Sequence, residues 1–245
     1  MANQKFGYFR ITKGFIFIPF QIKPIIMGKK SATYLYFPLL FLICLWLIKL
    51  IEYTLGISFT NYGIFPQKLS SLPGIFTSVF IHGDFNHLIA NSLPVFFLSM
   101  AIFYFYPRLA FRIIIFSWLL TGIGVWLGGR FAWHIGASGL VYAFASFLFF
   151  AGVVSKNRKL LAISLLVIFL YGGIIWGIFP RDPHTSWEAH LFGFFAGIIL
   201  AYYYAPNLKF KTILKKKKQI DDFVDFDTSS GTIDFKYHFN DNEKQ

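Results

Sequence analysis

Long apolar stretches separated by short polar links dominate this chain. Six of them, residues 34–53, 87–104, 113–129, 138–154, 160–179 and 187–204, approach the length needed to cross a bilayer. A helix rises about 1.5 Å per residue, so roughly 20 residues span a hydrocarbon core about 30 Å thick. Several stretches are short and none is a pure leucine run, the pattern of helices packed on one another. The reading is an all-α, polytopic membrane bundle of six transmembrane helices over residues 34–204. A cytoplasmic or interfacial segment, 1–33, precedes it and a cytoplasmic tail, 205–245, follows. Gly14 to Phe20 is too short to span, with prolines at Pro19 and Pro24, and is expected to lie at the interface. The n-region, h-region and cleavage pattern of a signal peptide is not evident, so the first span is expected to be retained.

Composition supports this class. Of 245 residues, 56% are hydrophobic and only 14% charged, against about one quarter charged in soluble domains, which excludes an ordinary soluble globule and a disordered chain. The single cysteine, Cys44, allows no internal disulfide and no thiolate metal cluster, and is expected to pack in the core. The net charge of +12 would suggest nucleic acid in a soluble protein, but its placement says otherwise. Nineteen Lys and Arg fall in the two terminal segments and in the links at Arg108 to Arg112 and Lys156 to Lys159. Only Lys68, Arg130 and Arg181 fall on the opposite side, with Lys49 inside the first span and able to snorkel to a boundary. The positive-inside rule then places both termini in the cytoplasm and gives no role to nucleic acid. The Lys215 to Lys218 run is a candidate contact with anionic lipid of the bilayer. In the tail, alternating stretches at Asp221 to Asp227 and Thr232 to Tyr237 flank Ser229-Ser230-Gly231, which allows a small hairpin, although a flexible solvated tail is the preferred reading.

Polar residues inside spans must be satisfied within the bundle or used, because a bare polar group in hydrocarbon costs several kcal/mol. Spans two, four and six run in the same direction and each begins with polar residues. His87 and Asn91 are four apart and share a helical face; Ser138 stands at a helix start with Tyr142 one turn on; His190 shares a face with Gly193 and Gly197. One serine, two histidines and one asparagine thus lie at comparable depth. The Gly193-x-x-x-Gly197 face admits a neighbouring backbone, and if spans four and six pack there Ser138 and His190 can hydrogen bond. A hydroxyl nucleophile needs such a neutral imidazole to take its proton. His87, Asn91 and the Ser138 N–H are then candidate donors to an oxyanion.

Three segments carry a family resemblance. His82-Gly83-Asp84-Phe85-Asn86-His87-Leu88-Ile89-Ala90-Asn91 resembles the H-x-x-x-x-H-x-x-x-N segment of the rhomboid intramembrane serine proteases. Gly136-Ala137-Ser138-Gly139, followed by Tyr142, resembles their G-x-S-G motif, and Ala189-His190 through Gly197 resembles their A-H-x-x-G-x-x-x-G helix. The similarity covers roughly residues 60–204. It implies an intramembrane serine endopeptidase that cleaves transmembrane or membrane-adjacent segments of membrane proteins, without cofactor or metal, in a bacterial inner membrane. Carried over, Ser138 is the nucleophile, His190 the base and acid, and His87 with Asn91 the oxyanion donors. Tyr142 would stack on or orient His190, and His82 would structure the outer end of span two. Substrates would enter sideways between spans two and five, beneath an outer loop around Arg181 to Trp187. One departure stands in the first outer loop, where Gly63-Ile64-Phe65-Pro66 occupies the place of the family's Trp-Arg pair.

Other readings compete. Serine and histidine in spans are commonly interhelical hydrogen-bonding groups. His134 is a rival base, read as a solvated loop residue, and Asp84 is read as a helix cap instead of a triad acid. Glu188 is expected to point away from His190. A zinc site on His82, His87 and His190 lacks an H-E-x-x-H pattern and a carboxylate at that depth. A catalytically inactive rhomboid-like protein that binds membrane clients would usually lack the serine or histidine, and a transporter would need intramembrane acids beyond boundary residues Glu52 and Glu188.

Overall fold

The computed structural model describes residues 32–170, 176–180, 185–221, 225–227 and 234–236. Helices α1 (Ala32–Leu55), α2 (Gly74–Thr77), α3 (Phe85–Phe105), α4 (Ala110–Gly128), α5 (Ser138–Ser155), α6 (Arg158–Leu170) and α7 (Trp187–Asp221) follow one another, with short 3-10 turns between α1 and α3 and between α6 and α7. Residues 27–207 make one compact unit; 1–26 with 208–245 make a second. In the second unit, strands β1 (Asp225–Asp227) and β2 (Asp234–Lys236) pair antiparallel with Phe226 opposite Phe235, so the hairpin reading of the tail describes its strands. The interfacial segment at Gly14 to Phe20 lies outside the described residues.

Among the described residues, α1, α3, α4 and α5 are long and apolar enough to cross a membrane. The fifth predicted span falls on α6, which is 13 residues long before residues outside the description, and the sixth falls on the start of α7. Burial separates the spans: 67% of the α5 window is buried against 17% of the α1 window. Helix α5 is therefore the axial element and α1 a peripheral one. It packs on α3, α4 and α6, while α1 packs on α3 and α2 on α4. Several buried serines are satisfied by the preceding turn, as with Ser92 to the Leu88 carbonyl at 2.7 Å and Ser164 to the Leu160 carbonyl at 3.0 Å, whereas the Ser117 hydroxyl in α4 has no partner among the described residues. Ser92 also accepts from Trp46 Nε1 at 3.1 Å, joining α1 to α3.

The segment between α1 and α3 folds down onto α4 and the approach to α5. Trp118 Nε1 donates to the Ile75 carbonyl at 2.8 Å, and Trp126 Nε1 to the Lys68 carbonyl at 3.1 Å. At the Gly63 to Pro66 departure, Ile64 and His134 exchange both backbone hydrogen bonds, at 3.0 and 2.8 Å. Phe65 meets Trp133 edge-on at 5.2 Å, with the Lys68 ammonium 5.4 Å from the Trp133 ring. This loop thus braces the strand-like segment that leads into Ser138.

Two groups pin the start of α3. Asp84 caps it, its carboxylate accepting from the His87 N–H at 2.8 Å. The Lys49 ammonium reaches the turn before α3, donating to the carbonyls of His82 and Gly83 at 2.9 and 3.0 Å, and pairs with Glu52 at 3.3 Å. The other Glu52 oxygen accepts from Phe59 N–H at 2.6 Å, so this pair holds the exits and entrances of two helices. His82 is 1% exposed; its Nε2 accepts from the Ala137 N–H at 3.4 Å, tying the start of α3 to the residue before Ser138. Burial, with the neighbouring His87 next in weight, holds the His82 imidazole down at about 3 from its usual 6.5.

Lys49→Met leaves the buried Glu52 carboxylate uncompensated, and is expected to cost about 3 kcal/mol, read as a lowered thermal midpoint in detergent; an unchanged midpoint contradicts the account. Because the folded-state value of His82 is depressed, its contribution to stability is complete above the unfolded value and lost as pH falls toward the folded one. The wild-type midpoint should therefore fall between about pH 7 and 5, above the carboxylate range, more steeply than that of His82→Gln. Parallel curves for the two proteins would refute this.

Candidate active site

At the end of the bundle that carries the starts of α3, α5 and α7 lies a cavity of about 720 Å³. Asp84, His87, Asn91, Arg130, His134, Ser138, Tyr142, Ser186 and His190 are among its walls. So many polar groups make it a space for water inside an otherwise apolar bundle.

The cavity floor exists because α7 comes unusually close to α5. A Cβ on Gly193 would overlap the Gly139 carbonyl oxygen, and one on Gly197 would overlap Ser146 Oγ and the Ala143 carbonyl. Ser146 Oγ donates across this contact to the Phe194 carbonyl at 3.0 Å. With the two backbones this near, His190 Nε2 stands 2.8 Å from Ser138 Oγ. On its other edge, His190 Nδ1 lies 2.8 Å from the Gly177 carbonyl oxygen. A carbonyl can only accept, so Nδ1 carries the proton, Nε2 is the lone-pair nitrogen, and the Ser138 hydroxyl donates to it. Tyr142 stacks on the imidazole, ring centres 4.2 Å apart and planes within 10°. The ring of His190, 7% exposed, is thus fixed on one face and at both nitrogens.

Sequence reasoning missed Gly177. It acts through a main-chain oxygen, which leaves no side-chain signature, and its lack of a side chain is what lets it approach: a Cβ there would overlap the Tyr142 hydroxyl and come within 3.1 Å of His190 Nδ1.

Helix α5 begins at Ser138 with Ala137 in the N-cap position and no side-chain cap, leaving the first N–H groups turned out at the helix start. Gly136 has φ of +105°, and a Cβ on it would sit 2.7 Å from the His87 ring. His87 accordingly packs over the turn that presents Ser138, its ring 5.1 Å from that of His82. Asn91, 5% exposed, donates Nδ2 to the His87 carbonyl at 3.0 Å while lining the cavity. All the residues singled out in sequence therefore gather at this site: Ser138, His190, His87, Asn91 and Tyr142 on the cavity, His82 behind the Ser138 turn, and Gly193 and Gly197 beneath it.

His134 corrects its sequence reading. It is 2% exposed, not solvated, because the Ile64 bridge covers it. Its Nδ1 is 2.5 Å from Ser186 Oγ and its Nε2 is 3.0 Å from the Arg130 carbonyl. Burial pushes its imidazole below the usual histidine range. Both nitrogens are engaged away from Ser138. Glu188 lies beside Arg130, Oε1 3.4 Å from its Nε, as expected for a carboxylate turned from His190. Among the described residues no group of three or more His, Cys, Asp or Glu converges as metal donors.

The Rhomboid domain sequence model matches residues 70–207. An uncharacterized protein of Mycobacterium bovis is 33% identical over 189 residues, covering 71% of this chain and 77% of that protein. An uncharacterized protein of Mycobacterium leprae is 31% identical over 185 residues, covering 71% and 73%. The matched region contains α3 to α6, the start of α7 and every residue of the cavity described above, and the chain is an integral membrane protein that belongs to the rhomboid family.

Proposed function

We propose that this rhomboid protein is an intramembrane serine endopeptidase that cleaves transmembrane or membrane-adjacent segments of other membrane proteins. The observation that carries the reading is the Ser138 Oγ to His190 Nε2 contact of 2.8 Å, with Nδ1 held 2.8 Å from the Gly177 carbonyl, inside a polar cavity.

In this reading Ser138 Oγ attacks the scissile carbonyl carbon as its proton passes to His190 Nε2. The tetrahedral oxyanion is met by the Ser138 N–H at the uncapped start of α5 and by the His87 and Asn91 side chains, each such donor being worth about 10² to 10³ in rate. Collapse breaks the C–N bond, the Nε2 proton goes to the leaving amine nitrogen, and an ester on Ser138 remains. Water from the cavity, deprotonated by the same Nε2, attacks the ester and restores the hydroxyl. The Gly177 carbonyl takes the orienting part that an acid has in three-residue serine hydrolases, holding the tautomer in which Nε2 can accept.

Access from the bilayer would run beside α3. Ala90 and Pro94 line the cavity, and Ile89, Leu93 and Phe97 on the same helix are exposed on the bundle surface, where lipid would meet them. A substrate helix unwinding there, between α3 and α6, would bring its carbonyl to Ser138. With both termini cytoplasmic, the cavity opens on the outer side of a bacterial inner membrane.

In proteoliposomes containing a fluorogenic transmembrane substrate, wild type is expected to cleave, and Ser138→Ala and His190→Ala each to lose about 10³-fold or more, with folding unchanged. Equal rates in the Ser138→Ala protein would refute the nucleophile. A wild type that binds the substrate without cutting it would favour the inactive client-binding reading. Gly177→Ala is expected to cost about 10²-fold through misplacement of the imidazole, and Tyr142→Phe in that background to recover part of the loss by removing the overlapping hydroxyl. A Gly177→Ala protein at the wild-type rate would contradict the orienting role.

A further inference from the structure

A second serine and histidine meet one step above the dyad. His134 is four residues before Ser138 and Ser186 is four residues before His190, so the His134–Ser186 and Ser138–His190 pairs share one sequence offset of 52. The Arg130 carbonyl at His134 Nε2 can only accept, so Nε2 carries the proton and Nδ1 accepts from the Ser186 hydroxyl at 2.5 Å. Two segments that each open into a helix are thereby tied in register just before the dyad.

The tie is reinforced on the same side. Arg130 donates from its guanidinium to the Thr185 carbonyl at 2.7 Å, its Nε pairs with Glu188 Oε1 at 3.4 Å, and its own N–H points to that oxygen at 3.4 Å. Glu188 is 2% exposed, and among the described residues its Oε2 has no hydrogen-bond partner, while Oε1 faces Arg130. Residues 130 and 134 thus hold residues 185, 186 and 188 across the cavity mouth. The held segment is the start of α7, where the Ser186 carbonyl accepts from the N–H groups of Ala189 and His190 at 3.1 and 3.4 Å. A shift of Ser186 is passed directly to the backbone of His190. On the opposite side, the bridge between Ile64 and His134 fixes the loop that leads into Ser138.

We infer that Arg130, His134, Ser186 and Glu188 are positioning residues of the proposed reaction: a clamp between the α4–α5 loop and the first turn of α7 that sets the separation of His190 Nε2 from Ser138 Oγ. The inference rests on the protease reading and extends it to four residues outside the Ser138–His190 contact, three of which line the cavity. The glycine contacts and the Ser146–Phe194 hydrogen bond fix how closely α5 and α7 approach, but they lie one or more turns from the first turn of α7. The clamp holds that first turn at the end where the chemistry takes place. It acts on the geometry of proton transfer, so it bears on kcat and on acylation of Ser138, and not on substrate binding.

The test uses full-length protein in proteoliposomes, with kcat and KM for a fluorogenic transmembrane substrate, the rate of Ser138 acylation by a fluorophosphonate, and the thermal midpoint. Ser186→Ala and Glu188→Gln are expected to lower kcat and the acylation rate together, roughly 10- to 100-fold, with KM within about 3-fold of wild type. Ser186→Thr, which restores the hydroxyl, should recover most of the loss. Should Glu188→Gln fail to fold, Ser186→Ala, which deletes a single oxygen, decides the matter. Wild-type rates in folded Ser186→Ala, a loss confined to KM, or a loss that threonine does not relieve would each overturn the clamp. A wild type inert to both probes would overturn the protease reading and the clamp with it, whereas an active wild type beside an equally fast Ser186→Ala overturns the clamp alone.

Discussion

The distance between α5 and α7 is the constraint on which the rest depends. Four positions of α5, Gly139, Ala143, Ser146 and Phe147, meet Gly193 and Gly197 at separations that leave no room for a Cβ on α7. Bilayer lipid offers no hydrophobic drive for helices to associate, so close packing of small residues and interhelical hydrogen bonds must supply it. Once the backbones are in contact, a serine at the start of one helix and a histidine one turn into the other fall within hydrogen-bond range. The Ser138–His190 contact is therefore a consequence of packing, and substitution of either glycine by a larger residue would separate the pair.

Around this contact the protein uses main-chain groups for work that side chains do elsewhere. The Gly177 carbonyl selects the His190 tautomer, the Arg130 carbonyl selects that of His134, and the carbonyls of His82 and Gly83 hold the Lys49 ammonium. In an apolar setting each is an acceptor already needing a donor, so the polar side chain and the irregular backbone satisfy each other. Irregular backbone is concentrated at the cavity end, where it is enclosed by protein or faces the polar space.

Much of this was legible in the sequence. Apolar length placed α1, α3, α4 and α5, and the spacing of His87 with Asn91 and of His190 with Gly193 and Gly197 marked the faces that meet. Asp84 before a polar-to-apolar transition read as a cap, and it is one. What stayed hidden depended on contacts distant in the chain. His134 read as solvated because nothing local reveals that Ile64, 70 residues earlier, bridges to it. The partners of Lys49 were hidden because the carbonyls it finds, those of His82 and Gly83, belong to a turn more than 30 residues away in the chain. Gly177 carried no signal, since its function rests on a backbone oxygen and on an absent side chain.

The central claim is that Ser138 is made nucleophilic by an imidazole whose proton is fixed on the far nitrogen. Reaction of the membrane-reconstituted protein with a fluorophosphonate, followed by peptide mass mapping, tests it most directly. The account predicts a single adduct on Ser138 in wild type, none there in His190→Ala, and none on Ser186 in either. An adduct on Ser186 in place of Ser138, or undiminished labelling of Ser138 without His190, would contradict it.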